Sequence, residues 1–357
     1  MANIDLIPTA SLADMRMTIP MIGQTNTFVI VAQPGIGKTS LLNAFKKDCG
    51  DKYHYVYYDA ANADYGDLSS RVPNLAERKI VQCLSDLIPM DGKPVMLMID
   101  ELGKVPKLMQ PTMARLLLDH MIGDTRLPEG SIVFGTSNNA GDGVGDIFPG
   151  HTRSRVAFVP LRNPTNEEWA VWATENNIDP MLRAWAIMTP RAFASYTQGG
   201  QEENSMIFNP RRTDRQYACG RSIAKCDPIV RNRAKLGSDL TLALLTGTVG
   251  LAAARSMVNM FSVKDEVVPF KDIVANPDTC QVPENPAAIY LCVFDAVDNI
   301  KTQSDLTAFM TYIERINSRE VTGVFYSQLI ENKPTAKLAH GSPVIQKWVR
   351  ENYKVLI

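Results

Sequence analysis

Ala32-Gln33-Pro34-Gly35-Ile36-Gly37-Lys38-Thr39 stands between an apolar, β-rich run at residues 27–32 (TFVIVA) and a helical stretch at 38–47. A strand, a glycine-rich turn and a helix in that order form a P-loop. Gly35 and Gly37 let successive backbone N–H groups turn inward as an anion nest at a helix N-terminus. Lys38 then neutralises β and γ phosphates, and the Thr39 hydroxyl holds Mg2+. The candidate nucleotide-binding set is Gln33, Pro34, Gly35, Ile36, Gly37, Lys38, Thr39 and Ser40. Ala32 departs from the strict pattern, which has Gly there, so the turn entering the loop must tolerate a β-carbon. A Pro-Gly-x-Gly-Lys-[Ser/Thr] string arises by chance on the order of once per thousand chains of this length, which favours the ligand-binding reading over a bare turn.

Further along, the apolar run at 95–99 (VMLMI) ends in Asp100-Glu101. A carboxylate at the C-terminal end of a parallel strand lies in the crevice where such sheets bind ligands. Asp100 is placed to hold the hydration shell of Mg2+, and Glu101 to orient and polarise an attacking water. A third run, residues 132–136 (IVFGT), ends in Ser137-Asn138-Asn139. The neutral amide of Asn138 can bridge a γ phosphate and the water without adding charge. Asn139 reads instead as part of the turn into Gly141, Gly143 and Gly145.

Runs at 53–58 (YHYVYY) and 155–160 (RVAFVP) bring the expected strands to five, and helices are expected at 38–47, 75–87 and 106–122. Alternation of this kind argues for a parallel sheet with helices on both faces. After Pro164 the strand signal stops. Helices are expected at 166–176, 180–188, 191–197, 238–261, 287–300, 303–317 and 342–353, with Ser342 as N-cap of the last. Residues 198–215 read as a loop and 268–286 as a Pro-rich connector. The 357 residues therefore divide into an α/β domain at 1–162, a helical segment at 163–235 and a mostly helical C-terminal domain at 236–357. Trp169, Trp172 and Trp185 read as core of the helical segment, and Tyr57, Tyr58 and Tyr65 as cover for the sheet.

Composition sets outer limits. Hydrophobic residues at 45% and charged residues at 21% describe an ordinary folded chain. Lys+Arg 37 against Asp+Glu 38 excludes a whole-chain basic field for nucleic acid. Six cysteines without CxxC spacing and four histidines argue against a disulfide framework or a zinc site. Neither a signal peptide nor a membrane span is legible, which points to the cytoplasm.

Together these residues resemble the AAA+ ATPases, with a Pro-Gly-Ile-Gly-Lys-Thr Walker A, a Walker B ending Asp-Glu and a sensor 1 Asn. The stretch Ile99-Asp100-Glu101-Leu102-Gly103-Lys104-Val105, then Leu127-Pro128-Glu129-Gly130 before Val133-Phe134-Gly135-Thr136-Ser137-Asn138, looks most like the MoxR branch. The likeness covers roughly the first 220 residues. It implies a P-loop NTPase fold with the sensor strand between the Walker strands, a helical lid at 163–235, and ATP with Mg2+ at the interfaces of a homo-oligomeric, usually hexameric, ring. An arginine finger is implied just before the fifth strand, where Arg155 is the first choice and Arg153 the second. The lid should add a sensor 2 arginine, for which Arg221 is preferred to Arg191. The family's role is chaperone-like remodelling of a protein complex, often with a von Willebrand factor A partner. Eight basic residues between Arg211 and Lys235, against Asp214 and Asp227, keep a nucleic-acid motor such as a helicase or clamp loader as the alternative.

Overall fold

A computed structural model describes residues 8–64, 66–138, 154–212 and 216–352. The chain divides into two compact units, Met1–Asn163 and Pro164–Ile357.

In the first unit, β1 (Thr27–Val31), β2 (His54–Asp59), β5 (Val95–Asp100), β8 (Ile132–Ser137) and β9 (Val156–Pro160) form one parallel sheet in the order β2-β5-β8-β1-β9. Its interior strands β5 and β8 are buried along their whole length, because helices and loops cover both faces and leave no polar side to alternate with. Alternate residues serve opposite layers. Val29, Leu97, Ile99 and Val133 pack with Met113, Leu116 and Leu117 of α3 (Gln110–Asp119). Phe28, Ile30, Met96, Met98 and Phe134 pack with Met15 and Ile19 of α1 (Leu12–Ile22) and Leu41, Leu42 and Phe45 of α2 (Ser40–Cys49). Each fully buried Leu, Ile or Phe in these layers contributes about 1.5–3 kcal/mol relative to exposure.

The five expected strands are present, each within a residue or so of its expected bounds. β8, which leads to Asn138, lies between β1, which leads into the glycine-rich loop, and β5, which ends in Asp100. That is the strand order the resemblance implies, and the fold is that of a P-loop NTPase.

The helix expected at 75–87 does not form. In its place β3 (Ser69–Asn74) and β4 (Lys79–Leu84) make an antiparallel hairpin, with Ser69 opposite Leu84 and Asn74 opposite Lys79. Asn74 Oδ1 accepts from Glu77 N at 3.2 Å, and Arg78 takes the left-handed conformation (φ 49°) that closes the turn. The apolar residues Ile80, Leu84 and Leu87 are spaced as on one helix face, but the β-branched Ile80 and Val81 suit a ladder as well. A second short hairpin, β6 (Met121–Ile122) with β7 (Thr125–Arg126), replaces the end of the helix expected at 106–122.

The second unit is helical among its described residues, around one continuous apolar core from Trp169 to Ile345. Its helices at Asn166–Glu175 and Pro180–Met188 match expectation. Trp169 and Trp185 are buried, whereas Trp172 is 37% exposed. The expected single helix at 238–261 is two, Ser238–Val249 and Leu251–Phe261, because Gly250 takes φ 83° and a Cβ there would meet Gln216 O at 2.7 Å. Residues Pro190–Phe193 form only a 3-10 turn where a helix over 191–197 was expected. Helices at Arg319–Glu331 and Lys333–His340 were not anticipated, and the Pro-rich connector holds one more, Phe270–Ala275. At the centre of this unit Arg183, fully buried, pairs with Asp298 and lies 5.1 Å over the Phe294 ring.

Candidate nucleotide site

The parallel strands carry their C-terminal ends to one edge of the sheet, and there the candidate residues converge. Gly35 (φ 82°) and Gly37 (φ 107°) take the left-handed conformations that the loop between β1 and α2 requires. At Gly37 a Cβ would also press on Ser40 Oγ at 3.2 Å and Leu12 Cδ1 at 3.3 Å. α2 has no acidic residue in its first turn, so its positive end is not offset from within the helix. Ala32 is fully buried, with its N–H bonded to Ser137 O at 3.2 Å, so the β-carbon at this departure from the strict pattern is accommodated by packing.

Lys38 is 7% exposed, and its Nζ donates to Ala32 O at 2.8 Å, Gln33 O at 3.2 Å and Asn138 Oδ1 at 2.8 Å. The ammonium is thereby held at the mouth of its own loop. The Thr39 hydroxyl donates to Asp100 Oδ2 at 3.0 Å, joining the loop to the end of β5.

Asp100 is 6% exposed, and both of its oxygens are engaged. Oδ1 accepts from the Thr136 hydroxyl and from Glu101 N at 3.0 Å, and Oδ2 accepts from Thr39 and from the Tyr57 phenol at 3.1 Å. Burial, then the Asp100 charge, pushes the Tyr57 phenol up to about 12, so it is a neutral donor. Among the described residues no cluster of three His, Cys, Asp or Glu side chains could cage a metal. One hydroxyl and one carboxylate, both hard oxygen donors, fit a cation that takes its other ligands from phosphates and water, as Mg2+ does.

Glu101 follows in a left-handed conformation (φ 56°, ψ 39°), which for a residue with a Cβ costs about 1 kcal/mol and is held in place by the turn after it. Leu102, in that turn, is fully buried and packs where Gly135 of β8 has no side chain: a Cβ on Gly135 would lie 2.1 Å from Leu102 Cδ1. The Glu101 carboxylate meets Lys104 Nζ at 2.6 Å.

Lys38, Thr39, Asp100 and Asn138 are thus brought together by direct bonds, with Glu101 adjoining Asp100. Arg155 is exposed and pairs with Asp119 Oδ1 at 2.8 Å. Arg221, in the helix Gly220–Lys225, and Arg191, in the 3-10 turn, are both exposed on the second unit. Arg153, Asn139 and Tyr65 lie outside the described residues. Sequence reasoning missed Thr136 and Tyr57 as partners of Asp100. Ile99 is level with Gly135 and Tyr57 with Met98, and this register, which sets both side chains beside Asp100, is not written in any one segment.

Neither a family model nor a curated protein matches the sequence. Among solved structures the chain is similar to NtrX of Brucella abortus in complex with ADP, at 14% identity and TM-score 0.39, covering 89% of this chain and 68% of that one. A RuvB variant of Thermotoga maritima gives 14% and 0.36, covering 84% and 85%. A candidate ATPase of Cytophaga hutchinsonii gives 15% and 0.33, covering 46% of this chain and 50% of that one, so the likeness spans half the length of the Cytophaga protein. Likenesses of this strength carry no function across, and the fold assignment rests on strand order and loop geometry.

Proposed function

We propose that the chain binds ATP with Mg2+ and hydrolyses the β–γ bond. The observation that carries this reading is the pair of bonds Lys38–Asn138 and Thr39–Asp100, which join the loop after β1 to the ends of β8 and β5. Bound Mg2+ and triphosphate would supply charge neutralisation and the leaving group. The loop N–H groups and Lys38 bind the phosphates, Thr39 and Asp100 hold the cation side, and Asn138 fixes the γ end. Glu101 accepts the proton of the attacking water, after its carboxylate leaves Lys104.

In the same reading the chain works in the cytoplasm as a homo-oligomeric ring, with Arg155, or Arg153, reaching the neighbouring subunit's nucleotide once released from Asp119. Arg221, or Arg191, is the sensor of a lid at 163–235, followed by the C-terminal domain at 236–357. The ring remodels or activates a protein complex in the manner of MoxR proteins, with a von Willebrand factor A protein as the partner type. No helix among the described residues is long and apolar enough to cross a membrane.

The exposed side chains of Arg211, Arg212, Arg221, Lys225 and Lys235 favour a second reading, a nucleic-acid-associated motor. Phosphate release measured with and without DNA over a range of salt separates the two. Salt-sensitive stimulation supports the motor, and a rate indifferent to DNA supports the protein remodeller.

A further inference from the structure

Asp100 is the carboxylate on which the cation side of the site depends, and an aspartate rotates easily about its last bond. Thr136 and the Glu101 amide hold one oxygen. The other is held by Thr39, whose own oxygen is the cation's ligand, and by Tyr57, which reaches from the neighbouring strand β2. Tyr57 is 43% exposed, so its ring contributes little to the core, and its phenol has a bond that a sheet-covering aromatic does not need.

We propose that Tyr57 is a positioning residue for divalent-cation binding: its phenol keeps Asp100 Oδ2 turned toward Thr39. This inference rests on the nucleotide-site reading. Once Thr39 is engaged with the cation, Tyr57 is the remaining side chain that restrains Oδ2. Without it the carboxylate gains rotational freedom, and that entropy must be lost again each time the cation binds. The effect is confined to the cation, because the structure gives Tyr57 no bond to the loop that holds the phosphates.

Tyr55, two residues back on the same strand, is an internal control. Its phenol donates to Gly50 O at 2.9 Å, away from Asp100.

The test uses the full chain and a fluorescent ATP analogue, titrated in EDTA and again at a series of Mg2+ concentrations. Tyr57→Phe should leave affinity in EDTA within about twofold of the unaltered chain and raise the Mg2+ concentration for half-maximal effect about three- to tenfold, the loss expected for one hydrogen bond of ordinary net strength. Tyr55→Phe should move neither value. An unchanged or lowered Mg2+ requirement in Tyr57→Phe overturns the inference alone, as does an equal loss of affinity in EDTA, which would mark a general structural role. If the unaltered chain shows no Mg2+-sensitive nucleotide binding, the nucleotide-site reading falls and the inference with it.

Discussion

Lys38 Nζ and Asn138 Oδ1 lie 2.8 Å apart although 100 positions separate them in the chain. The bond ties the glycine-rich loop after β1 to the end of β8, the strand that lies between β1 and β5. In the proposed reading a triphosphate entering the loop draws the ammonium from this amide and leaves the amide beside the terminal phosphate.

Glu101→Gln keeps the shape of the side chain and removes its basicity. Nucleotide affinity should stay within a few-fold, while phosphate release slows by about 10²–10⁴. Binding and turnover measured on the same preparation check this, and a near-normal rate removes Glu101 from the water-positioning role. The exposed pair with Lys104 adds under about 1 kcal/mol, so stability should hardly change.

Arg155 and Asp119 are paired in the folded chain, and two substitutions separate a structural arginine from a finger. Arg155→Ala should lower turnover about 10³–10⁵-fold, and Asp119→Ala should not. Mixing Arg155→Ala with Lys38→Ala subunits should restore part of the rate, because in the proposed ring the finger and the phosphate site come from different copies. Equal losses in the two single variants, or no recovery on mixing, contradict a finger acting between subunits.

Gly135→Ala places a methyl group 2.1 Å from Leu102 Cδ1 and 3.4 Å from Val29 Cγ2, inside a fully buried strand. Overpacking of this kind costs about 1–3 kcal/mol. Urea unfolding should show that loss. Because Leu102 adjoins Glu101, turnover should fall as well, by more than the unfolded fraction explains.

Asp14 and Ser11 form a reciprocal cap at the start of α1: Ser11 N donates to Asp14 Oδ2 at 2.7 Å and Asp14 N to Ser11 Oγ at 3.0 Å. The Ser11 backbone N–H, then its hydroxyl, holds the Asp14 carboxyl below its ordinary value of 3.8. A lowered folded-state value means the contribution is present above about pH 4 and is lost as pH falls through the folded value. Asp14→Asn should thus lose about 1 kcal/mol at pH 7 and show a smaller difference near pH 3, read by thermal unfolding at both.

The sheet and the phosphate loop were legible because each is encoded locally. Apolar runs such as VMLMI need burial on both faces, and Gly35 and Gly37 supply conformations other residues resist. The hairpin at residues 69–84 was not legible, since Ile80 and Leu84, four apart, share a face in a helix and in a strand alike, and Pro73 within the first strand argues against a ladder. The same holds at the site. Asp100 could be chosen from its place at a strand end, but Tyr57 and Thr136 depend on which strands adjoin β5 and at what register. The helix break at Gly250 was not read from the sequence, where the apolar run 238–261 is expected as one helix, and what decides it is the approach of Gln216 O.

In the proposed function Lys38 and the loop around it bind a nucleoside triphosphate. Calorimetric titration of ATP with Mg2+ into the full chain, alongside Lys38→Ala of matched thermal stability, tests it most directly. The unaltered chain should bind saturably and Lys38→Ala should lose at least about 100-fold in affinity, the scale expected when a charged phosphate contact is removed from a buried site. Equal ATP affinity in the two proteins would contradict it.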